Sequence, residues 1–314
     1  QALARGADIV IVGRCVDSAV TLGPLIHEFD WKPDQHDLLA AGTLVGHLIE
    51  CGTQVTGGTY TDWREVPDWA NGGFPVAECH ADGSAVITKP ASTGGLVSTG
   101  TVIEQMLYEV SDPQAYLVPD VACDFSAVQV TQHGPDRVHV AGARGYPPTA
   151  TYKVCATWHR GWRCTVMQPI VAIDAVARAE RQAAAQFKRF EKLLGQRGLG
   201  PHIGKHVHVI GSEACLGARA RNLRSREVIC RMVVEHPERA AAELFGRESF
   251  GALTTMSAGS LIPPSPVVVP VLRVFSFLLE KSAVPVTLRI DGETHNVSVR
   301  TDGGFDPARI VRPA

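Results

Sequence analysis

An uninterrupted apolar run near the start of the chain, residues 8–12 (Asp-Ile-Val-Ile-Val), constrains the fold more than any other feature. A strand that is apolar on both sides is typical of a parallel sheet with helices on both faces. Asp17 or Ser18 could cap a helix that follows it. The run therefore predicts an α/β fold with a parallel sheet in the N-terminal part. Arg14 and Asp17 would then lie at the carboxyl end of the strand, where open α/β sheets bind ligands. The alternative is that Asp17 only caps the helix and Arg14 only pairs with it.

A segment rich in Gly and Thr follows the next predicted helix, residues 37–51. It brings together backbone N–H groups, hydroxyl groups and a carboxylate, and its Gly pair permits close approach of a ligand. This combination suits a small, oxygen-rich ligand. The alternative is a polar loop that only reverses the chain. The residues concerned are Thr56, Gly57, Gly58, Thr59 and Asp62.

A second Gly-rich segment precedes an amphipathic helix predicted to run to about residue 110. It contains one cation, a hydroxyl group and a Gly pair, which together could bind an anion at a helix N-terminus. It is not a Walker motif, because the Lys precedes the glycines. The alternative is an ordinary helix entry. The residues are Lys89, Thr93, Gly94 and Gly95.

Carboxylates and cations on the predicted loops suggest acid–base chemistry. Asp17, Asp62 and Asp124 are candidates for proton transfer, with Arg14 beside them. Lys89 and Arg144 are candidates for holding a carboxylate or a phosphate. Such a set suits proton abstraction, hydration or carbon–carbon cleavage on a carboxylated or thioester substrate.

Other kinds of site find little support in the sequence. His206 and His208 share one face of a predicted strand, but no third ligand is identifiable, so we predict no metal site. His47 is expected to be a packed or surface histidine. Neither a G-x-S-x-G nor a G-x-G-x-x-G motif is present. We therefore predict no cofactor, although a CoA thioester could be the substrate.

The second half of the chain has a different pattern. Residues 151–158 and 162–168 predict a hairpin that places Cys155 opposite Cys164. A long helix at 174–194, strands at 206–210 and 227–234, and a helix from residue 237 follow. This order predicts an α+β part with a mostly antiparallel sheet. We place the parts at residues 1–148 and 149–314.

The overall composition narrows the classes of partner. Thirty Lys and Arg against 32 Asp and Glu give a net charge of −2, which offers no attraction to nucleic acid or to an anionic membrane. No apolar run is long enough for a membrane span. The eight cysteines show no C-x-x-C spacing and favour reduced thiols in the cytoplasm. We also expect a homo-oligomer.

Several motifs in order resemble the acyclic terpene utilisation AtuA family. They are Gly-Ala-Asp-Ile-Val-Ile-Val-Gly-Arg-Cys-Val-Asp-Ser-Ala from residue 6, Gln-Val-Thr-Gly-Gly from 54, Thr-Asp-Trp from 61, Ile-Thr-Lys-Pro from 87, Thr-Gly-Gly-Leu-Val from 93, Pro-Asp-Val from 119, Asp-Phe-Ser from 124 and Gly-Ala-Arg-Gly from 142. The resemblance runs from residue 1 to about residue 260.

The resemblance implies a bacterial cytoplasmic protein in the catabolism of citronellol- or geraniol-like terpenes, through acyl-CoA intermediates. It also implies an N-terminal segment ahead of residue 1, in which the parallel sheet begins, and a small ferredoxin-fold AtuA-like domain as partner in trans. We therefore expect a lyase- or hydratase-like enzyme acting on a branched acyl-CoA or carboxylate. The alternative is a non-catalytic binding or assembly subunit that works with that small domain.

Overall fold

The computed structural model describes residues 1–222, 224–306 and 308, without the side chains of 252–255. The chain forms two compact units. One comprises Gln1–Val154 and Leu278–Ala314, and the other comprises Cys155–Phe277. The chain thus leaves the first unit near the predicted division at residue 148 and later returns to it. The predicted second part, by contrast, was one contiguous segment.

The first unit combines three α-helices with short antiparallel strands. Its helices are α1 (Ala19–Glu28), α2 (His36–Ile49) and α3 (Thr99–Leu107). Its first strands are β1 (Val76–Cys79), β2 (Ala85–Thr88), β3 (Tyr116–Leu117), β4 (Ala122–Asp124), β5 (Gln129–Gly134), β6 (Arg137–Ala141) and β7 (Arg144–Tyr146). The order β1-β2-β6-β5 forms one sheet and β3-β4-β7 another, and neighbouring strands in both sheets are antiparallel.

Helix α2 is the centre of this unit. Its predicted helical spacing is confirmed, and Leu44 and Leu48 are almost completely buried. They belong to one core cluster with Ile87 of β2, Val102 of α3 and Phe125 after β4. Asp37 at the start of α2 accepts a hydrogen bond from the N–H of Gly145 in β7 (2.8 Å), which joins the helix to the smaller sheet.

The predicted parallel strand at residues 8–12 is wrong. These residues form no strand, and Ile9 and Ile11 are 83% and 92% exposed. The paired strands in the described residues are antiparallel. An apolar run indicates that a segment favours burial, but strand formation also needs a partner strand from elsewhere in the chain, and local sequence does not specify that partner.

The second unit is built on the strand β8 (Thr151–Val171), where a hairpin was predicted. The hairpin prediction is wrong, so Cys155 and Cys164 lie on one continuous strand and do not face each other. Gly161 marks a close approach of two backbones: a Cβ there would come within 2.5 Å of the carbonyl oxygen of His236. The glycine therefore serves packing between neighbouring strands, and the sequence alone makes it look like a turn.

The other elements of this unit largely follow the prediction. They are α4 (Ala175–Gln196), β9 (Gly204–Ile210), β10 (Glu227–His236), α5 (Arg239–Thr255) and β11 (Val267–Glu280). The sheet order is β11-β8-β10-β9. Phe187 and Phe190 of α4 and Phe245 of α5 pack with Cys230 and Met232 of β10 in one core. Helices therefore cover one face of an antiparallel sheet, as the α+β prediction required.

The chain then forms the hairpin β12 (Thr287–Ile290) and β13 (Glu293–Asn296), which turns at Asp291 and Gly292. All eight cysteines are free. Over the described residues, none of the helices has the length and apolar character needed to cross a bilayer.

Candidate functional site

The structure brings the two Gly-rich segments of the first unit into direct contact. The N–H of Leu96 donates to the carbonyl oxygen of Thr56 (2.9 Å). The hydroxyl group of buried Thr56 donates to the carbonyl oxygen of Gly73 (2.7 Å), and the N–H of Gly73 donates to that of Gly94 (3.1 Å). Two segments about 35 residues apart thus form one ordered loop pair, which we call the glycine-loop pair (residues 52–62 and 89–97).

The N–H groups of the predicted anion-binding glycines already have acceptors within the protein. Each of the four predicted anion-binding glycines donates to a carbonyl oxygen. The bonds are Gly57 to Gln54 (3.1 Å), Gly58 to Thr53 (2.8 Å), Gly94 to Asn71 (2.8 Å) and Gly95 to Pro67 (2.9 Å). An anion at these groups would have to displace those bonds.

The second segment also lies ahead of the helix and not at its first turn. Helix α3 begins at Thr99, and Ser98 is its N-cap. The Ser98 hydroxyl group accepts from the N–H of Thr101 (3.2 Å), and the Thr101 hydroxyl group accepts from the N–H of Ser98 (3.0 Å). These bonds form a capping box that satisfies the helix start. The start of α3 is therefore capped by its own residues, Ser98 and Thr101, and Gly94 and Gly95 lie outside this cap.

Lys89 stabilises the glycine-loop pair. Its side chain is only 6% exposed, and its ammonium group lies 3.1 Å from a carboxylate oxygen of Asp136. It also donates to the carbonyl oxygen of Thr93 (2.9 Å). The Thr93 hydroxyl group donates to the carbonyl oxygen of Pro90 (2.7 Å). The predicted anchor cation is thus engaged with its own loop.

The remaining predicted residues lie in separate places. Arg14 and Asp17 form an exposed ion pair (2.9 Å). Asp124 accepts from the N–H and the hydroxyl group of Ser126 (2.9 and 2.6 Å), and in the sheet it lies directly opposite Arg144. Asp62 is exposed at the start of a short 3₁₀ turn, and Thr59 is exposed as well. Whether these side chains take part in a reaction stays a prediction.

His47 was expected to be packed or at the surface, and it is completely buried in α2. Its Nδ1 lies 3.2 Å from a carboxylate oxygen of Glu50, while its buried Nε2 has no hydrogen-bond partner. Burial raises the pKa of Glu50, His47 opposes that change, and the Asp17 carboxylate adds to it. Burial, with a smaller contribution from Glu50, raises the pKa of Tyr116 to about 12. Asp17 therefore lies close enough to influence a buried His–Glu pair.

A cavity of about 120 Å³ in the same unit combines an apolar wall with charged groups. Its apolar lining includes Trp31, Leu39 and Tyr152, and its charged lining consists of Asp120 and Arg300. Arg300 is oriented by Asp302 (3.0 Å) and by the ring of His36 (3.3 Å). We call this the Asp120 cavity. An apolar pocket with a few polar groups is the usual form of a small-molecule site.

Lys281 lies behind the wall of the Asp120 cavity. It is 1% exposed, and its ammonium group donates to the carbonyl oxygen of Pro119 (2.6 Å). The same ammonium group lies 5.6 Å from the centre of the Tyr152 ring. Burial lowers the pKa of Lys281, and the negative charge of Asp120 partly offsets this effect.

The pKa of Asp120 changes in the opposite direction to that of Lys281. Dense protein around its carboxyl group raises its pKa, and the charge of Lys281 partly offsets that rise, although the residue still reaches solvent. Perturbed carboxyl and amino groups that influence each other beside a cavity are typical of functional sites. Two titratable groups with opposite shifts give the cavity a candidate proton donor and acceptor.

Sequence reasoning missed most of the Asp120 cavity. Asp120 stood within one of the quoted motifs, but Tyr152, Lys281 and Arg300 carried no local pattern. Lys281 directly follows a strand with largely exposed side chains, and nothing in the sequence indicates that this Lys is buried. These residues come together only through the return of the chain to the first unit at Leu278.

The described residues contain no group of His, Cys, Asp or Glu side chains arranged to hold a metal ion. No protein with a curated description and no solved structure matches the chain. The sequence model of the acyclic terpene utilisation family protein AtuA matches residues 1–290 of the 314. That match includes Asp120, Tyr152 and Lys281, and it ends before Arg300. The chain belongs to the acyclic terpene utilisation family AtuA.

Proposed function

We propose that this protein acts in acyclic terpene utilisation as a lyase- or hydratase-like enzyme on a branched carboxylate or its CoA thioester, with the Asp120 cavity as the site of the acyl group. The family match supports the role in terpene utilisation. The observation that carries the rest is a titratable pair, Asp120 and Lys281, with opposite pKa shifts beside an apolar cavity.

The size of the cavity suits a short branched chain. An apolar cavity of about 150 Å³ can hold a benzene ring. A volume of about 120 Å³ would therefore hold a branched group of roughly five carbon atoms, the isoprenoid end of an acyclic terpene acid. Trp31, Leu39 and Ile26 would contact that group. Burial of such a group stabilises the complex by about 0.8 kcal/mol for each methylene removed from water.

The charged groups support proton transfer at the other end of the ligand. Arg300 would hold a carboxylate or thioester oxygen, since a guanidinium group binds such oxygens well. In a hydration, the Asp120 carboxylate would take a proton from water as the water oxygen bonds to the β carbon of an enoyl group. Asp120 would then deliver this proton to the α carbon, so that one water molecule is added in total and the carboxylate is regenerated. The charge of Lys281 would stabilise the ionised form of Asp120.

The first experiment measures proton exchange, because this step does not require the full reaction to be known. The protein is incubated in D₂O with a branched five-carbon enoate, its CoA thioester, or the linear acid of equal length. Mass spectrometry then follows deuterium uptake at carbon. We expect uptake only with a branched ligand. We also expect Asp120→Asn to lower the rate by at least about 100-fold, since acid–base catalysis contributes that much.

The matched controls are Asp62→Asn and Asp124→Asn, the carboxylates that the sequence predicted. Thermal unfolding of each variant shows whether a loss of exchange reflects a loss of folding. Loss of exchange in Asp62→Asn with normal exchange in Asp120→Asn would move the site to the glycine-loop pair. Equal loss of exchange and of folding in Asp120→Asn would contradict a catalytic role.

A second candidate is a non-catalytic subunit that binds a small ferredoxin-fold AtuA-like domain. It is favoured by β11, which lies at the edge of its sheet with Leu272 and Val274 59% and 67% exposed. An edge strand of this kind can pair with a strand of another chain. Binding of the separately expressed small domain, measured by calorimetry and weakened by Val274→Lys, would support this candidate.

A further inference from the structure

A buried carboxylate on the sheet of the second unit is surrounded by three arginines. Glu235 of β10 is only 4% exposed. One of its oxygens accepts from the Nη2 and Nε of Arg163 (2.6 and 3.1 Å). The other oxygen accepts from Arg273 (3.2 Å) and lies 4.0 Å from Arg160.

The cluster of Glu235 and the three arginines carries more positive than negative charge. Burial would raise the pKa of Glu235, but Arg163, Arg273 and Arg160 together outweigh it and hold the pKa below its ordinary value. The carboxylate is therefore ionised at neutral pH, and three guanidinium charges against one carboxylate leave two positive charges in surplus. The guanidinium-bearing side chains remain 33–44% exposed, so solvent and solutes reach them.

These arginines extend a basic face of the sheet. Side chains alternate along a strand, and Cys230, Met232 and Val234 of β10 pack in the helix-covered core. Glu235 and Arg231 therefore point to the opposite face, where Arg163 of β8 lies directly opposite Glu235. His206 and His208 of β9 belong to this face as well, opposite Val233 and Arg231.

The same arrangement disfavours a cation at the two histidines. The Arg231 guanidinium group lies 3.0 Å from the Nδ1 of His208, so one ring nitrogen is already engaged with a positively charged donor. His206 and His208 are both exposed to solvent. A face with surplus guanidinium groups attracts anions.

We propose that this face binds the phosphate group of a small ligand, with Arg160 and Arg273 as the contacting residues and Arg163 as a positioning residue fixed by Glu235. Two surplus charges match a phosphate dianion, and the planar guanidinium group binds phosphate through two parallel hydrogen bonds. The inference goes beyond the proposed function, which assigns only an acyl site in the other unit. The phosphate could belong to a free organic phosphate or to a CoA thioester.

Calorimetric titration of the full chain tests the proposal. The ligands are inorganic phosphate, pyrophosphate, CoA and, as an anion without phosphate, acetate. We expect saturable binding of the phosphates and none of acetate. Arg160→Gln and Arg273→Gln should each weaken binding by about tenfold, which corresponds to roughly 1.4 kcal/mol. The control is Arg189→Gln, which removes an exposed arginine of the same unit that pairs with Glu248, and it should bind like the wild type.

Glu235→Gln gives the sharpest contrast. It removes the carboxylate that competes with the ligand, so we expect tighter phosphate binding, whereas a purely structural network predicts no binding at all. Absence of saturable phosphate binding, or equal weakening in Arg189→Gln, overturns the proposal. Tighter binding of CoA than of pyrophosphate identifies the thioester as the source, and the reverse identifies a free organic phosphate. Arg160→Gln and Arg273→Gln are interpreted against Arg189→Gln alone if Glu235→Gln does not fold.

Discussion

Two lysines of the first unit are almost equally buried and yet differ in their surroundings. Lys89 is 6% exposed, and its ammonium group has a carboxylate at 3.1 Å and a carbonyl oxygen at 2.9 Å. Lys281 is 1% exposed, and its ammonium group has the carbonyl oxygen of Pro119 and the face of Tyr152. The first lysine forms a close ion pair with Asp136, whereas the second forms a hydrogen bond with a carbonyl oxygen and interacts with the Asp120 charge without such a close pair.

The difference shows which polar groups retain binding capacity. In the glycine-loop pair, several of the predicted ligand-binding groups already have partners within the protein. They are the N–H groups of Gly57, Gly58, Gly94 and Gly95, the hydroxyl groups of Thr56 and Thr93, and the ammonium group of Lys89. At the Asp120 cavity, burial disfavours the charged forms of both Asp120 and Lys281, and neither charge fully compensates the other. A ligand that interacts with Asp120 or Lys281 can therefore offset part of the free-energy cost that burial imposes on their charges.

The largest effect on stability is expected from Gly94→Ala in the glycine-loop pair. A Cβ at Gly94 would come within 2.0 Å of the carbonyl oxygen of Asp68, so the backbones would have to separate. We expect a loss of about 3 kcal/mol in the free energy of unfolding, typical of steric strain in a packed region. Urea denaturation followed by circular dichroism measures it.

The matched control is Gly195→Ala in α4, where a Cβ would meet nothing within 4 Å. This change should stabilise the protein by up to about 1 kcal/mol, since Ala favours a helix over Gly. Similar stabilities for the two variants would show that the glycine-loop pair is not tightly packed, and the contrast between the two lysine sites would lose its basis.

The next effect is expected from Lys89→Met. The change leaves Asp136 without its cation, although Asp136 still accepts from the N–H of Val97 (2.8 Å). Removal of one partner of a buried pair costs up to about 3–5 kcal/mol, and we expect roughly 2 kcal/mol here because Asp136 is partly exposed. Lys32→Met, which removes an exposed pair with Asp30, should change stability by less than about 0.5 kcal/mol.

Much of the fold could be predicted from local patterns. The helical patterns of α2 and α4 depend on neighbouring residues, and the structure confirms both helices. The parallel strand at residues 8–12 and the hairpin around Gly161 failed because both depend on distant partners. Pairing of β8 with β10 joins residues far apart in the chain, and short-range periodicity carries no signal for it.

The candidate site shows the same limit. From residue type alone, the sequence predicted a site at glycines, hydroxyl groups and cations on loops. In the structure, many of these groups form hydrogen bonds with other groups of the protein. Burial of Lys281 and its approach to Asp120 result from the return of residues 278–306 to the first unit. No sequence pattern near Lys281 reports that approach, because it depends on where the chain closes and not on local spacing.

Lys281→Met should change stability far less than Lys89→Met. The change loses one hydrogen bond to Pro119, worth about 1 kcal/mol, but it also removes a buried charge that burial disfavours. We therefore expect the free energy of unfolding of Lys281→Met, measured by urea denaturation, to lie within about 1 kcal/mol of the wild-type value. We also expect the variant to lose deuterium exchange at the Asp120 cavity. A loss of stability equal to that of Lys89→Met would assign Lys281 a structural role.

The smallest effect is the pH dependence of that stability difference. Burial lowers the pKa of Lys281 below its ordinary value of 10.5, so the unfolded chain binds the Lys281 proton more strongly than the folded protein does. Between the lowered pKa and 10.5, this group makes the folded protein more stable as pH rises. Lys281→Met removes that contribution, so the variant should lose stability relative to the wild type as pH is raised from about 7 to about 10.

The exposed Lys32→Met variant controls for general effects of charge. If the difference between the wild type and Lys281→Met is constant over this range, the ammonium group lies in a solvated environment, and the contrast with Lys89 disappears.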